Sequence, residues 1–142
     1  MIVLDASVVV ELLTNGNLAD SLRGELAERN DSFIVPHLLD VEVASALRKL
    51  AARQRTDPFL MDRILTELAE LPAERYAHTP LLARIWELRH NFTCYDAAYI
   101  ALAEVTDAVL YTTDIKLSKG HRARVMVFTH PPALNPTAIR PR

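Results

Sequence analysis

Residues 94–114 read CYDAAYIALAEVTDAVLYTTD, and the fold is decided by how this stretch divides. Cys94 to Val105 is a helix-length run dominated by Ala, Ile and Leu, whereas AVLYTT at 108–113 is a short apolar, β-prone run ending at Asp114, which reads as a strand. The opening of the chain has a related pattern. IVLD at 2–5 is a β-branched run that stops at an acid, and VVVELLT at 8–14 suits a buried helix closed by Asn15 and Gly16.

Working outward, a second helix is expected over 18–29, and FIVP at 33–36 reads as a core strand ended by Pro36. From Leu38 to Ala52, Val43, Leu47 and Leu50 recur at helical spacing, while Glu42, Ser45 and Lys49 lie along another stripe, so Glu42 projects from a helix flank near its start. Asp57 and Pro58 open a helix that runs through Leu71 and stops at Pro72. A short strand is expected at 75–78, a helix from Pro80 to about His90, and a last strand, VMVF, at 125–128. Strands alternating with helices imply a single three-layer α/β/α domain over 1–130, with a parallel sheet of four or five strands covered on both faces. The tail, 131–142, holds four of the eight prolines and no apolar period, which predicts an extended or disordered segment.

Composition narrows the function. At 142 residues, with 50% hydrophobic and 24% charged content, the chain fits one domain. No stretch approaches the roughly 20 apolar residues of a membrane span, and Met1 to Val10 lacks the basic segment and cleavage site of a signal peptide. The lone Cys94 suits a reducing cytoplasm and reads as a small buried hydrophobe. A net charge of −2 excludes binding to nucleic acid by a global basic field. Local patches remain: Arg48, Lys49, Arg53 and Arg55 along one segment, and Lys116, Lys119, His121, Arg122 and Arg124 along another. Each reads first as an ordinary solvated face. Three glycines, at 16, 24 and 120, leave no phosphate-cradling Gly-rich loop.

Asp5, Glu42, Asp96 and Asp114 each adjoin a strongly apolar stretch. Singly, each has a structural explanation. Asp5 and Asp114 suit helix N-caps, Asp96 stands three places after Thr93 as in a capping box, and Glu42 suits the positive end of a helix dipole. Jointly they point elsewhere. In an open parallel sheet, ligands bind beyond the carboxyl ends of the strands where strand order reverses. If the strands ending at Asp5 and Asp114 are neighbours, those acids share that crevice, and the helices carrying Glu42 and Asp96 can point into it. A buried cluster of like charges needs a cation. Oxygen-only ligands favour Mg²⁺ or Mn²⁺, and the five histidines show no zinc-site spacing.

IVLDAS at the start, P-x-L-L-x-x-E-V ending at Val43 with Ala46, Leu47 and Arg48 behind it, YDAAYIALAE at 95–104 and YTTDIKL at 111–117 occur in this order. In these motifs the chain resembles the PIN-domain nucleases, and within them the VapC-type toxins, over about residues 1–129. Ser45, where many relatives carry Asn, and the proline-rich tail depart from the pattern. The resemblance implies a Mg²⁺-dependent endoribonuclease, Mn²⁺ being an alternative ion. Asp5 and Asp96 are then the expected direct metal ligands, with Asp114 and Glu42 as further ligands or orienting groups, and Ser7 and Thr113 as hydroxyl partners behind them. It also implies an RNA substrate cut to 5′-phosphate and 3′-hydroxyl ends, a small VapB-type antitoxin, and a homodimer within a toxin–antitoxin hetero-oligomer in the cytoplasm. Phe59, Leu60, Trp86 and Leu88 give residues 57–90 a surplus of apolar side chains for a dimer face.

Other classes fit less of the chain. A receiver domain needs an adjacent acidic pair after its first strand, and Asp5 stands alone. A haloacid-dehalogenase-type phosphatase needs a second Asp where Ser7 stands. A catalytically silent PIN-fold binding module would keep the acids only as caps.

Overall fold

Three consecutive apolar residues, all buried, make β1 (Ile2–Leu4), and the chain turns from it into helix with no loop between. Asp5 has φ −70° and ψ 152°, so it belongs to the strand's extended geometry while α1 (Ala6–Thr14) starts at the next residue. The structure, a computed structural model, describes residues 1–54 and 57–130. The tail and Arg55 lie outside the described residues. After α1 come α2 (Ala19–Glu28), β2 (Phe33–Pro36), α3 (Leu38–Gln54), α4 (Pro58–Ala69) and β3 (Ala73–Tyr76). A 3₁₀ turn (Thr79–Leu81), α5 (Leu82–Glu87), α6 (Cys94–Thr106), β4 (Val109–Thr112), a second 3₁₀ turn (Ile115–Ser118) and β5 (Arg124–Val127) complete the fold.

The strands form one five-stranded sheet in the order β3-β2-β1-β4-β5, every described pairing being parallel. Helices flank it in the three-layer α/β/α arrangement expected from the sequence. Strand order reverses between β1 and β4, whose register aligns Ile2 with Val109 and Leu4 with Tyr111. Their carboxyl ends, and hence Asp5 and Asp114, lie side by side at the switch point.

Helix α6 is the central packing element. Ala97 through Ala103 are all buried, and the helix lies against β1, β2 and β4 with α5 beside it. Its small Ala side chains permit close approach to the strands, while the fully buried Tyr99, Ile100 and Leu102 fill volume. α1 packs on β4 and gathers α2, α3 and α4 around it.

Helix boundaries follow local chemistry. Asn15, at φ 52°, ends α1 in the left-handed conformation that Asn tolerates, and its N–H returns to the Glu11 carbonyl. Asp57 accepts a hydrogen bond from the Phe59 N–H and Pro58 opens α4, as the sequence predicts. Two other expectations shift. β3 lies at Ala73–Tyr76 rather than 75–78, because pairing with β2 aligns Phe33 with Ala73 and Pro36 with Tyr76. The helix expected to reach His90 ends at Glu87, where the Arg89 N–H bonds back to the Trp86 carbonyl and the chain tightens into turns. Of the proposed dimer-face residues, Leu88 is core, while Phe59 and Trp86 lie outside it.

Toward the other end of α6 from Asp96, Glu104 ties three elements together. It accepts hydrogen bonds from Arg84 Nε at 2.7 Å and Nη2 at 3.0 Å, and from the Arg122 backbone N–H at 2.9 Å. Burial alone would raise its pKa, but these donors and the two guanidinium charges outweigh it and hold the carboxyl at about 2. The sign follows directly. A depressed folded-state pKa gives stability that is complete above the unfolded value of 4.5 and is lost as pH falls toward 2. Glu104→Ala should cost about 1–3 kcal/mol at neutral pH, because it removes the acceptor of Arg84 Nε and Nη2 and of the Arg122 N–H, leaving Arg84 only Glu87. The cost should shrink in melts run near pH 2.

Candidate active site

Asp5 is the most buried of the acids, at 6% exposure, and the structure shows what holds it. Ser7 Oγ donates to Asp5 Oδ2 at 2.7 Å, and Thr112 Oγ1 donates to the same oxygen at 2.7 Å. Each hydroxyl is itself fixed by a backbone N–H, Thr113 N to Ser7 Oγ at 3.1 Å and Asp114 N to Thr112 Oγ1 at 3.0 Å. Two relays therefore converge on Oδ2, which leaves Oδ1 without a hydroxyl partner. The capping role open to Asp5 from the sequence is absent, since its side chain makes no cap hydrogen bond to α1.

The sequence placed Thr113 behind the acids, but it contributes its backbone N–H, and the hydroxyl that reaches Asp5 is that of Thr112. Thr112 is the last residue of β4 and, like Leu110 and Tyr111 before it, is fully buried. Ser7 contributes its own hydroxyl to Asp5. Thr112→Val should lower divalent-ion affinity or cleavage rate by about 10–100-fold, the usual cost of losing a hydrogen bond that orients a ligand. Thr113→Val should leave both nearly unchanged. Cation titration and initial-rate assays on the two variants give the comparison.

Asp96 sits in the first turn of α6, where Thr93 Oγ1 accepts the Asp96 N–H at 3.1 Å and caps the helix. Its carboxylate is half-buried and feels the charges of Asp5 and Asp114. Glu42 lies one turn into α3 and Asp114 follows β4, where its side chain also accepts the Lys116 N–H at 2.9 Å. Asp114 thus does cap the second 3₁₀ turn.

The cluster is electrostatically strained. Burial raises the Asp5 pKa first, and Asp114 adds to the rise despite the opposing hydroxyls. Asp96 is raised by burial, then by Asp5 and Asp114, with Lys116 partly compensating. Glu42 is raised by burial, then by Asp5 and Asp96. Each acid therefore feels the charge of others in the set. Sequence reasoning missed Tyr99, on α6 one turn beyond Asp96. Burial and then the Glu42 charge push its phenol well above the usual range; its hydroxyl faces Glu42, and beyond that mutual approach neither Tyr99 Oη nor Glu42 Oε1 has a hydrogen-bond partner. A YDAAY spacing that puts a Tyr on the same helix face as the acid was the available signal.

These observations fit a hard divalent cation. The donors are all oxygen, their charges repel, and a buried Glu42 oxygen has no hydrogen-bond partner beyond the Tyr99 hydroxyl that faces it. Among the described residues, no three His, Cys, Asp or Glu side chains close on a single point, so the acids sense one another without yet forming a shell. The flanking cations divide. Lys116 is exposed beside Asp114, whereas Arg122 is engaged by Glu104 at 3.4 Å. Cys94, expected to be buried, is exposed because it occupies the first position of α6 at the rim of this site.

Comparisons with known proteins follow the same lines. A family model described as PIN domain matches residues 2–121. VapC ribonuclease Mb0985 of Mycobacterium bovis is 41% identical over 131 residues, covering 92% of this chain and 99% of that protein. Ribonuclease VapC1 of Mycobacterium tuberculosis is 42% identical over 118 residues, covering 82% and 87% respectively. Among solved structures, the toxin–antitoxin complex from Klebsiella pneumoniae aligns with TM-score 0.66 at 18% identity over 92% of this chain and 100% of that one. VapC20 of Mycobacterium tuberculosis, described as a Sarcin-Ricin loop cleaving toxin, also aligns with TM-score 0.66, at 15% identity over 83% and 93%. The solved structures bear on the fold alone.

Proposed function

The chain belongs to the PIN-domain family, among its VapC ribonucleases, and from that premise we propose that it is an endoribonuclease acting as the toxin of a toxin–antitoxin pair. The observation that supports the reading is that Asp5 and Asp114 follow neighbouring strands at the β1–β4 switch point, while Asp5, Glu42 and Asp96 each have a pKa raised by burial and by the charge of other acids in the set. Carboxylates in that condition suit a hard cation. We assign Mg²⁺, with Mn²⁺ as a substitute, held directly by Asp5 and Asp96 and completed by Asp114 and Glu42. When bound, such an ion lowers the pKa of water in its shell and neutralises charge on the phosphoryl oxygens.

The protein's own groups do the rest. Thr112 and Ser7 fix Asp5 so that one oxygen stays available. Glu42, which feels the charges of Asp5 and Asp96, is suited to orient the attacking water beside them. Hydrolysis at phosphorus then leaves a 5′-phosphate and a 3′-hydroxyl. Lys116 offsets the negative field that a phosphate backbone meets on approach.

A small VapB-type antitoxin would silence this site by laying a basic side chain among the carboxylates, where it competes for the charge a cation would satisfy. Phe59 and Trp86, exposed on α4 and α5, offer apolar surface for a homodimer within that hetero-oligomer. No helix among the described residues is long and apolar enough to cross a membrane, and we place the toxin in the cytoplasm with its RNA. The test is to map 5′-phosphate ends in total RNA after brief induction, beside an Asp96→Ala control. New ends confined to the wild type are expected, and their absence would defeat the reading.

A further inference from the structure

Beside Glu42 opens a cleft of about 600 Å³ whose composition hydrolysis does not require. Leu38, Val41, Ser45 and Lys49 of α3 form one side of it and Tyr95 of α6 the other. Tyr95 immediately precedes Asp96 and is 65% exposed, and Val41 opposite is 74% exposed. Two residues further along α6 the fully buried run begins. The chain thus keeps an aromatic ring out of the core and at the rim, next to a ligand of the assigned cation. The ring and Leu38 also line a smaller cleft of about 240 Å³ with Leu82 and Ile85, so Tyr95 stands as a partition between two recesses.

We propose that this cleft receives one unpaired nucleobase of the substrate, stacked on Tyr95 and covered by Leu38 and Val41, with Lys49 meeting a neighbouring phosphate. The inference rests on the ribonuclease reading and names how that site grips its strand. Three features favour a nucleotide as occupant. Glu42 lines both the cleft and the acid cluster, so a strand being cut must pass the mouth of the cleft. An aromatic face with apolar walls takes any base, because every base presents a π-surface, and the Ser45 hydroxyl offers a hydrogen bond to a base edge. The exposed Lys49 ammonium supplies the phosphate charge that an apolar protein segment would not need. A base held this way cannot remain stacked in a duplex. The substrate is therefore single-stranded or looped at this nucleotide.

The experiment uses the full chain, one single-stranded RNA that it cuts, and copies of that RNA made abasic at one nucleotide at a time around the cut. Wild type, Tyr95→Phe and Tyr95→Leu are compared by kcat/KM; the Leu variant keeps an apolar side chain at an exposed position and so preserves the fold. One abasic position should lower wild-type kcat/KM by about 5- to 150-fold, the range a base–aromatic stack is worth. Tyr95→Leu should lose a similar factor on intact RNA and be indifferent to that abasic position, while Tyr95→Phe should behave as wild type. If the abasic loss and the Tyr95→Leu loss simply multiply, or if Tyr95→Leu cuts normally and has lost only its affinity for the antitoxin, the base cleft is overturned. Absence of any cleavage by the wild type strikes the ribonuclease reading itself, whereas cleavage with uncoupled losses strikes the cleft alone.

Discussion

Replacing Asp96 with Asn should slow RNA cleavage by about 10³-fold, the several kcal/mol that a cation's charge neutralisation supplies to phosphoryl transfer. The melting temperature of the cation-free protein should stay the same or rise. The two halves of this expectation have different origins. Asn keeps the backbone N–H that Thr93 Oγ1 accepts, so the cap of α6 survives. What it removes is a charge that burial disfavours and that Asp5 and Asp114 repel, and removing it relieves the folded state. Activity falls because an amide is a poor partner for a hard cation. A variant that lost activity and several degrees of stability together would mark Asp96 as structural. Circular-dichroism melts in EDTA beside initial rates in Mg²⁺ separate the cases.

The second large effect is on stability. Mg²⁺ or Mn²⁺ at 100 times its dissociation constant should stabilise the wild type by about 2.7 kcal/mol, which raises the melting temperature of a chain this size by roughly 5–10 °C. That gain should be present near pH 7.5 and fade as pH falls toward 4. The reason lies in three folded-state pKa values, those of Asp5, Asp96 and Glu42, all raised above ordinary carboxylate values. A raised acid binds more protons folded than unfolded. Between the unfolded and folded pKa, stability therefore falls as pH rises, and above the folded pKa the full electrostatic cost is carried. Cation-free protein should thus show its largest penalty from this cluster at neutral pH, where the cation relieves it. In acid, the protonated carboxyls carry no such penalty and bind no cation. Asp5→Asn should abolish most of the cation-dependent rise at pH 7.5.

How far the sequence carries this account depends on which physical rule governs each residue. Asp5 and Asp114 were legible because a β-branched run that stops at an acid is local, and the parallel sheet follows from strands alternating with helices. Their adjacency was legible only conditionally, since it depends on β1 pairing with β4, a contact more than a hundred residues apart in sequence. Thr112 was not legible. β4 is buried at Leu110, Tyr111 and Thr112 alike in a sheet covered on both faces, so no alternation marks Thr112 rather than Thr113 as the hydroxyl that reaches Asp5. Glu42 was placed on a helix flank by its spacing, but its approach to Tyr99 brings together residues of α3 and α6, which no local pattern encodes. Cys94 was misjudged because composition favours burial of a lone thiol, while its place at the first position of a helix that starts on the rim exposes it.

The arginine–glutamate network shows the converse. The segment 116–124 reads as a basic patch, yet Arg122 is turned to Glu104 and Arg124 to Asp107 at 3.3 Å, where they secure β5 and its approach to α6. Charge counted along the chain does not separate cations that face a substrate from cations that hold the fold. Lys116 is left as the one whose field reaches Asp96.

The central claim is that the carboxylates of the β1–β4 switch point act through a shared divalent cation. It is tested most directly by titrating Mn²⁺ into the cation-free wild type and the Asp5→Asn variant by isothermal calorimetry, with RNA cleavage followed in the same samples. Saturable Mn²⁺ binding in the wild type, cleavage that rises in step with occupancy and stops on adding EDTA, and loss of both in Asp5→Asn are predicted. Cleavage that persists undiminished in EDTA, or Mn²⁺ binding that Asp5→Asn leaves intact, would contradict the account.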